Sequence, residues 1–260
     1  MEISLIHKTD AFILCVLLFI GMLIMFPLGR MAGRVWRQTE DEPKGGVNSL
    51  LSAVFGLSAF VLAFAFGMSA ARYTNVREII VEEANDIGTA LLRSDLYSDS
   101  LRDAFRADFK KYIEARLSYY DNVTDTGLFN KAKKDAADAA TALWSRATQQ
   151  SKLPNMLVPS NNMIPALNTM FDISTTIEMT LYARVPDLIV YMLFILALIT
   201  SFVGGFTSPA IRPKDWIIIT MFSLLSAMVI YVTLDLSRPM RGIIKSNLGE
   251  QAIRDLSKGL

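Results

Sequence analysis

The sequence is poor in the side chains that most enzymes depend on. It holds one histidine, His7, and one cysteine, Cys15. A single imidazole in a terminal segment supplies neither a Ser-His-Asp triad nor a Cys-His pair nor a histidine-rich metal site, and a lone cysteine has no partner for an intrachain disulfide. Phosphate cradles are missing as well, because no G-x-x-x-x-G-K-[ST] stretch occurs and no G-x-G-x-x-G follows a strand-like run. Nor is positive charge in excess: 26 Lys and Arg against 25 Asp and Glu give nucleic acid no basic surface to bind. These absences speak against an enzyme, and the residues call for no cofactor and no metal.

The most informative absence is that of charge in four places. Residues 11–29, 48–71, 188–211 and 216–234 contain no Asp, Glu, Lys or Arg. Each run is close to the roughly 20 residues a helix needs to cross about 30 Å of hydrocarbon, where unpaired backbone groups are too costly to leave open. A chain of 260 residues is too short to bury four such helices in a soluble core. The fold class is therefore all-α integral membrane, with four transmembrane helices. Before the first run Lys8 and His7 are offset by Glu2 and Asp10, and the run is long for a cleaved leader, so a retained helix is expected.

The remaining sequence divides by composition into residues 1–72 (two crossings and their loop), 73–186 (a helical extramembrane domain), 187–236 (two further crossings) and 237–260 (an amphipathic tail). The first crossing is expected to end at Pro27 and Gly29, with Arg30, Arg34 and Arg37 on one face of a short interfacial helix. The second continues without a break into Val76, Ile79, Ile80, Ala84, Ile87, Leu91 and Leu92 at helical spacing, which predicts one long helix. Further helices are expected over 100–120, with Asp99 or Ser100 as cap, over 128–150, and over 161–182 after a rigid loop marked by Pro154 and Pro159. Residues 72–187 carry 16 acidic and 14 basic groups, which suits a water-facing insert and excludes a fifth crossing. Lys8, Arg72, Arg77, Arg184, Arg238, Arg241 and Lys245 flank one side of the membrane, and Arg30, Arg34, Arg37, Lys44, Arg212 and Lys214 the other, so charge counting leaves the orientation open.

Two groups of residues are candidates for function. On the second crossing Gly56, Ala59, Ala63 and Gly67 leave one stripe nearly bare, so that another helix can approach closely. Phe60 and Phe64, with Gly56 and Met68, would form an apolar constriction if several copies surrounded an axis, and such a ring stops ions by dewetting. Ordinary packing or lipid contact also accounts for the two phenylalanines. The second group is Arg72, Arg77, Glu82, Glu83, Asn85, Asp86, Gly88 and Arg93, joined by Asp235, Arg238 and Pro239. Glu78, Glu82 and Asp86 repeat like charges four apart, which is unfavourable on an isolated helix and hints at partners. The carboxylates would meet Arg72, Arg77 or Arg93 of the same or a neighbouring subunit, Gly88 would permit a close helix crossing, and Asp235 and Arg238 would tie in the fourth crossing, which Pro239 ends. A solvated face and a direct ion site stay open beside this network.

Phe64-Ala65-Phe66 followed by Arg72 and Arg77, the segment EEANDIGTALLRSDL over 82–96, and LDLSRPMRG over 234–242 resemble the bestrophin-like membrane proteins of bacteria, a group largely without assigned function. That resemblance implies a distant similarity to bestrophins proper: pentameric anion channels with four membrane helices, cytosolic termini and a cytosolic helical region between the second and third crossings. It implies a place in the bacterial inner membrane, a cytoplasmic insert, and Phe60 and Phe64 as neck residues by their spacing. Only 26 residues follow Leu234, so the long C-terminal segment with its acidic calcium clasp has no counterpart and calcium gating is not implied. The expected function is a homo-oligomeric ion channel, with membrane lipid, further copies of the chain and an inorganic ion as partners; anion conduction is what the resemblance implies. The alternative is a non-conducting scaffold or sensor whose insert binds a protein.

Overall fold

The computed structural model describes residues 10–39, 44–182, 186–208, 213–238, 240 and 247–260. The described elements are α1 (Ala11–Thr39), α2 (Lys44–Arg93), α3 (Asp99–Asp121), α4 (Thr126–Gln150), α5 (Leu157–Tyr182), α6 (Asp187–Thr207), α7 (Pro213–Leu236) and α8 (Asn247–Lys258), with 3₁₀ turns at Ser94–Leu96 and Pro154–Met156. Among the described residues four spans are long and apolar enough to cross a membrane, so the chain is a multi-pass, all-α membrane protein with a helical insert between the second and third spans. Two compact units result: residues 1–72 with 185–237, and residues 73–184 with 238–260.

In the membrane unit α1 packs along α6 and α7 around Cys15, Leu18, Met22, Val190, Ala197, Ile230 and Leu234. Between hydrocarbon-solvated helices there is little hydrophobic drive, so close fit and interhelical hydrogen bonds must hold them. Glycine provides the fit. A Cβ on Gly29 would fall on the carbonyl of Phe202, one on Gly33 on that of Phe206, and one on Gly205 on that of Phe26, so the two backbones touch where no side chain intervenes. The Ser201 hydroxyl donates across the same seam to the Met22 carbonyl at 2.6 Å. This seam corrects the expected end of the first crossing: α1 runs through Pro27 to Thr39, and Gly29 is a packing surface rather than a terminator. Proline is tolerated inside a membrane helix when its neighbours hold the freed backbone.

α2 is a single helix of 50 residues, about 75 Å long at 1.5 Å per residue. Its residues 73–93, roughly six turns at 3.6 residues each, belong to the insert, where Val76, Ile80, Ala84, Ile87 and Ala90 enter the core, while Leu92 stays exposed. α3 contributes Phe105, Phe109, Tyr112 and Ile113, and α5 contributes Met163, Leu167, Met170 and Ile177. α4 presents Leu143 with Ala132, Ala136, Ala139 and Ala147, and the four alanines on that face let it lie close to α3. Asp125 caps α4 by accepting from the backbone of Gly127 (2.8 Å) and Leu128 (3.0 Å). α3 starts at Asp99 after Ser98, so neither Asp99 nor Ser100 is its cap. The proline-marked segment is largely helical as well: Pro154 opens a 3₁₀ turn and Pro159 lies in the first turn of α5, where its missing N–H would have had no partner anyway. The amphipathic tail forms α8, whose Ile253 is fully buried in the insert core and whose Arg254 pairs with Asp121 at 2.5 Å. Lys8, Arg184, Arg212, Arg241 and Lys245, used above for orientation, lie outside the described residues.

Candidate functional site

The membrane half of α2 exposes its aromatic face. Phe60 is 70% and Phe64 59% exposed, four residues apart on one side of the helix, and nothing approaches within 4 Å of where a Cβ would stand on Gly56 or Gly67. Gly56 is exposed and Met68 half-buried. Within the chain the bare stripe is thus unused, and the intimate glycine contact belongs to α1 and α6 instead. The inner side of the same helix is engaged: Ser58 and Thr200 share a hydrogen bond of 2.8 Å, and Phe55 meets Phe222 edge to face at 5.7 Å.

The charged segment of α2 does something more specific than a solvated face. Glu83 is fully buried, and its two carboxylate oxygens are taken separately. The Arg116 guanidinium donates to one from α3 through Nε, and the Tyr120 hydroxyl donates to the other. Arg116 also donates to the Tyr120 oxygen at 3.0 Å and lies over the ring of Tyr119, 4.5 Å from its centroid. The result is a closed, dry cluster in which each charge has a partner. Burial opposes the Arg116 charge, but Glu83, then Tyr120 and Tyr112, outweigh it and raise its pKa. Burial likewise pushes Tyr112 up to about 12 and Tyr120 well above 10, and of the two it is the Tyr120 hydroxyl that donates to Glu83.

The other members of the group are dispersed. Arg77, Glu82, Asn85 and Arg93 are exposed, and the Arg72 Nε donates to the Ser237 carbonyl at 3.3 Å. Asp235 is buried at the end of α7, Arg238 is half-buried, and Pro239 lies outside the described residues. Gly88 faces α8, where its Cβ would come within 3.3 Å of Leu256. Among the described residues no three His, Cys, Asp or Glu side chains come together to hold a metal.

Asp86 is half-buried with one oxygen, Oδ2, lacking a partner; burial first, then Glu82 and Glu83, raise its pKa from 3.8. An acid whose folded pKa is raised destabilises in full above that value, and the penalty fades as pH falls towards 3.8. Asp86→Asn is therefore expected to raise thermal stability at neutral pH by on the order of 1–2 °C, from a like-charge penalty of about 0.5 kcal/mol. Melting curves at pH 7.5 and pH 4 check it: the gain should shrink at the lower pH, and an unchanged or larger gain there contradicts the assignment.

Arg116, Tyr119 and Tyr120 were not among the sequence candidates, yet a signal was present. Arg116 falls on the apolar stripe of α3, in register with Tyr112, Ile113 and Tyr120. A charge at a core position requires a partner of opposite sign. What the stripe does not tell is which of the neighbouring carboxylates on α2 provides it.

Four apolar helices long enough to span a membrane, interrupted by a helical insert and with an aromatic face left open on the second, define a multi-pass, all-α membrane protein. The family model for the Bestrophin-like domain matches residues 15–245, and the chain belongs to that family. No curated protein and no solved structure matches it.

Proposed function

We propose that the chain is a homo-oligomeric ion channel whose copies, five in the bestrophin arrangement, surround an axis lined by α2, with Phe60 and Phe64 as its apolar constriction and Gly56 and Met68 bordering it. The observation that carries this reading is the pair of exposed phenylalanines beside glycines that touch nothing, on the second span of a Bestrophin-like fold. A lone four-helix chain with no charge within its spans offers an ion no path of its own. Several copies facing inward supply one, and an aromatic ring narrow enough to dewet holds it shut until it widens. Inorganic anions are the conducted class, and the insert lies on the cytoplasmic side of the inner membrane.

The test is electrical. Purified protein in planar bilayers should conduct, and Phe60→Ala with Phe64→Ala should raise the open fraction or the conductance several-fold. Silence from intact oligomers, with the double variant equally silent, overturns the proposal. A second reading, a scaffold or sensor binding a protein through the insert, is favoured by Leu157 and Val158, which are exposed at the start of α5 although apolar. Oligomers whose centre is filled with side chains or lipid would support it.

A further inference from the structure

A cavity of about 160 Å³ lies inside the membrane unit between α2 and the bundle of α1, α6 and α7. Phe55, Leu62, Met22, Leu193 and Ile230 form its apolar walls. Every lining residue falls in the interior of one of the four uncharged runs, so the cavity sits at the depth of the acyl chains. Two of its three hydroxyls are already spent: Thr200 donates to the Leu196 carbonyl at 2.6 Å, which leaves Ser58 to donate to Thr200, and the third is the single hydroxyl of Ser226 on α7. The wall therefore asks little of a guest by way of hydrogen bonds. An apolar cavity of about 150 Å³ stays dry and accepts a benzene-sized apolar guest. It is not sealed either, since Ala59 and Phe222 in its lining are exposed and open it between α2 and α7.

We propose that this cavity is a binding site for a hydrocarbon segment, and that its occupant in the membrane is an acyl chain of a phospholipid. The surrounding solvent at this depth is itself hydrocarbon, so a chain segment enters without losing contact with water or leaving a polar group unpaired. Inside, it gains close contacts that the fluid bilayer does not offer, and it fills a void whose lining otherwise forfeits dispersion attraction. Ala59 and Ala197 are the two alanines of the lining, and their short side chains help leave the room. The proposal concerns binding alone and stands whether or not the chain conducts.

The full chain is reconstituted in vesicles containing phosphatidylglycerol with a diazirine midway along one acyl chain, irradiated, and mapped by peptide mass spectrometry. Adducts are expected at Leu196 and Leu62 as well as at Leu17 and Ile20, which face outward. In Ala197→Leu, and separately in Ala59→Leu, cavity adducts should fall about tenfold relative to those at Leu17, the change expected when the occupant must displace one side chain's packing. Ala59 is exposed at the mouth, so its variant keeps the test valid should Ala197→Leu fail to assemble. No cavity adducts in the wild type, or adducts unchanged in an assembled filled variant, overturns the proposal, whether the space is empty or closed off by another copy of the chain.

Discussion

Glu83→Ala is expected to cost about 3–5 kcal/mol, because it strands the Arg116 guanidinium in the insert core without its counter-charge. Arg116→Ala should be as harmful, leaving the carboxylate buried beside Tyr120. In a chain of this size that loss corresponds to a melting temperature lower by on the order of 10 °C, measurable on the full-length protein in detergent. Arg116→Lys should rescue little. One ammonium cannot reach the Glu83 oxygen and the Tyr120 hydroxyl while covering the Tyr119 ring, as the planar guanidinium does. The triple replacement Glu83→Met, Arg116→Met and Tyr120→Phe removes every polar member together, and should return to within about 2 kcal/mol of the wild type. If the triple variant is as unstable as the single ones, the energy lies in shape and not in the unpaired charge.

The second large effect concerns the seam between α1 and α6. Gly205→Ala and Gly29→Ala are each expected to cost about 1–3 kcal/mol, since the new Cβ meets a backbone carbonyl that cannot swing aside as a side chain would. Leucine at either place should prevent assembly altogether. The two alanine variants open the same contact, so their combination should cost less than the sum. Gly56→Ala and Gly67→Ala make the contrast. Nothing stands within 4 Å of either position, and alanine in a helix interior is worth about 0.5–1 kcal/mol over glycine, so the single chain should gain slightly. If copies pack through the α2 stripe, size-exclusion profiles of these two variants should shift to smaller species while the thermal stability of the chain holds. A Gly205→Ala protein that melts with the wild type would falsify the close-packed seam.

How far the sequence carries depends on what kind of signal a residue gives. Spans and insert were legible because the absence of charge over a crossing is a solvent property that needs no partner to be known. The core of the insert was legible for the same reason: Phe105, Phe109, Met163 and Leu167 recur at helical spacing on faces that must leave water. Packing partners were not. Glycine at 29 reads equally as a stop or as a contact surface, and only the carbonyl of Phe202, 173 positions further on, decides between them. Likewise Glu83 differs in no local way from exposed Glu82, one position earlier on the helix; the choice is made by Arg116 on a different helix. Proline at 159 suits a rigid loop or the first turn of a helix alike, and which of them it joins depends on whether that turn starts before or after it, a matter of one or two residues.

The tail has a consequence for biosynthesis. Residues 238–260 belong to the same compact unit as 73–184, and Ile253 of α8 is among its fully buried side chains. On the ribosome α6 and α7 are made between these two stretches and pass into the bilayer first. Helices α3, α4 and α5 of the insert are therefore complete, with the place of Ile253 and Leu256 unfilled, before α8 is made. Until α8 arrives the apolar side chains that it covers lack their cover, and prompt synthesis of the last helix shortens the interval in which such surface favours aggregation.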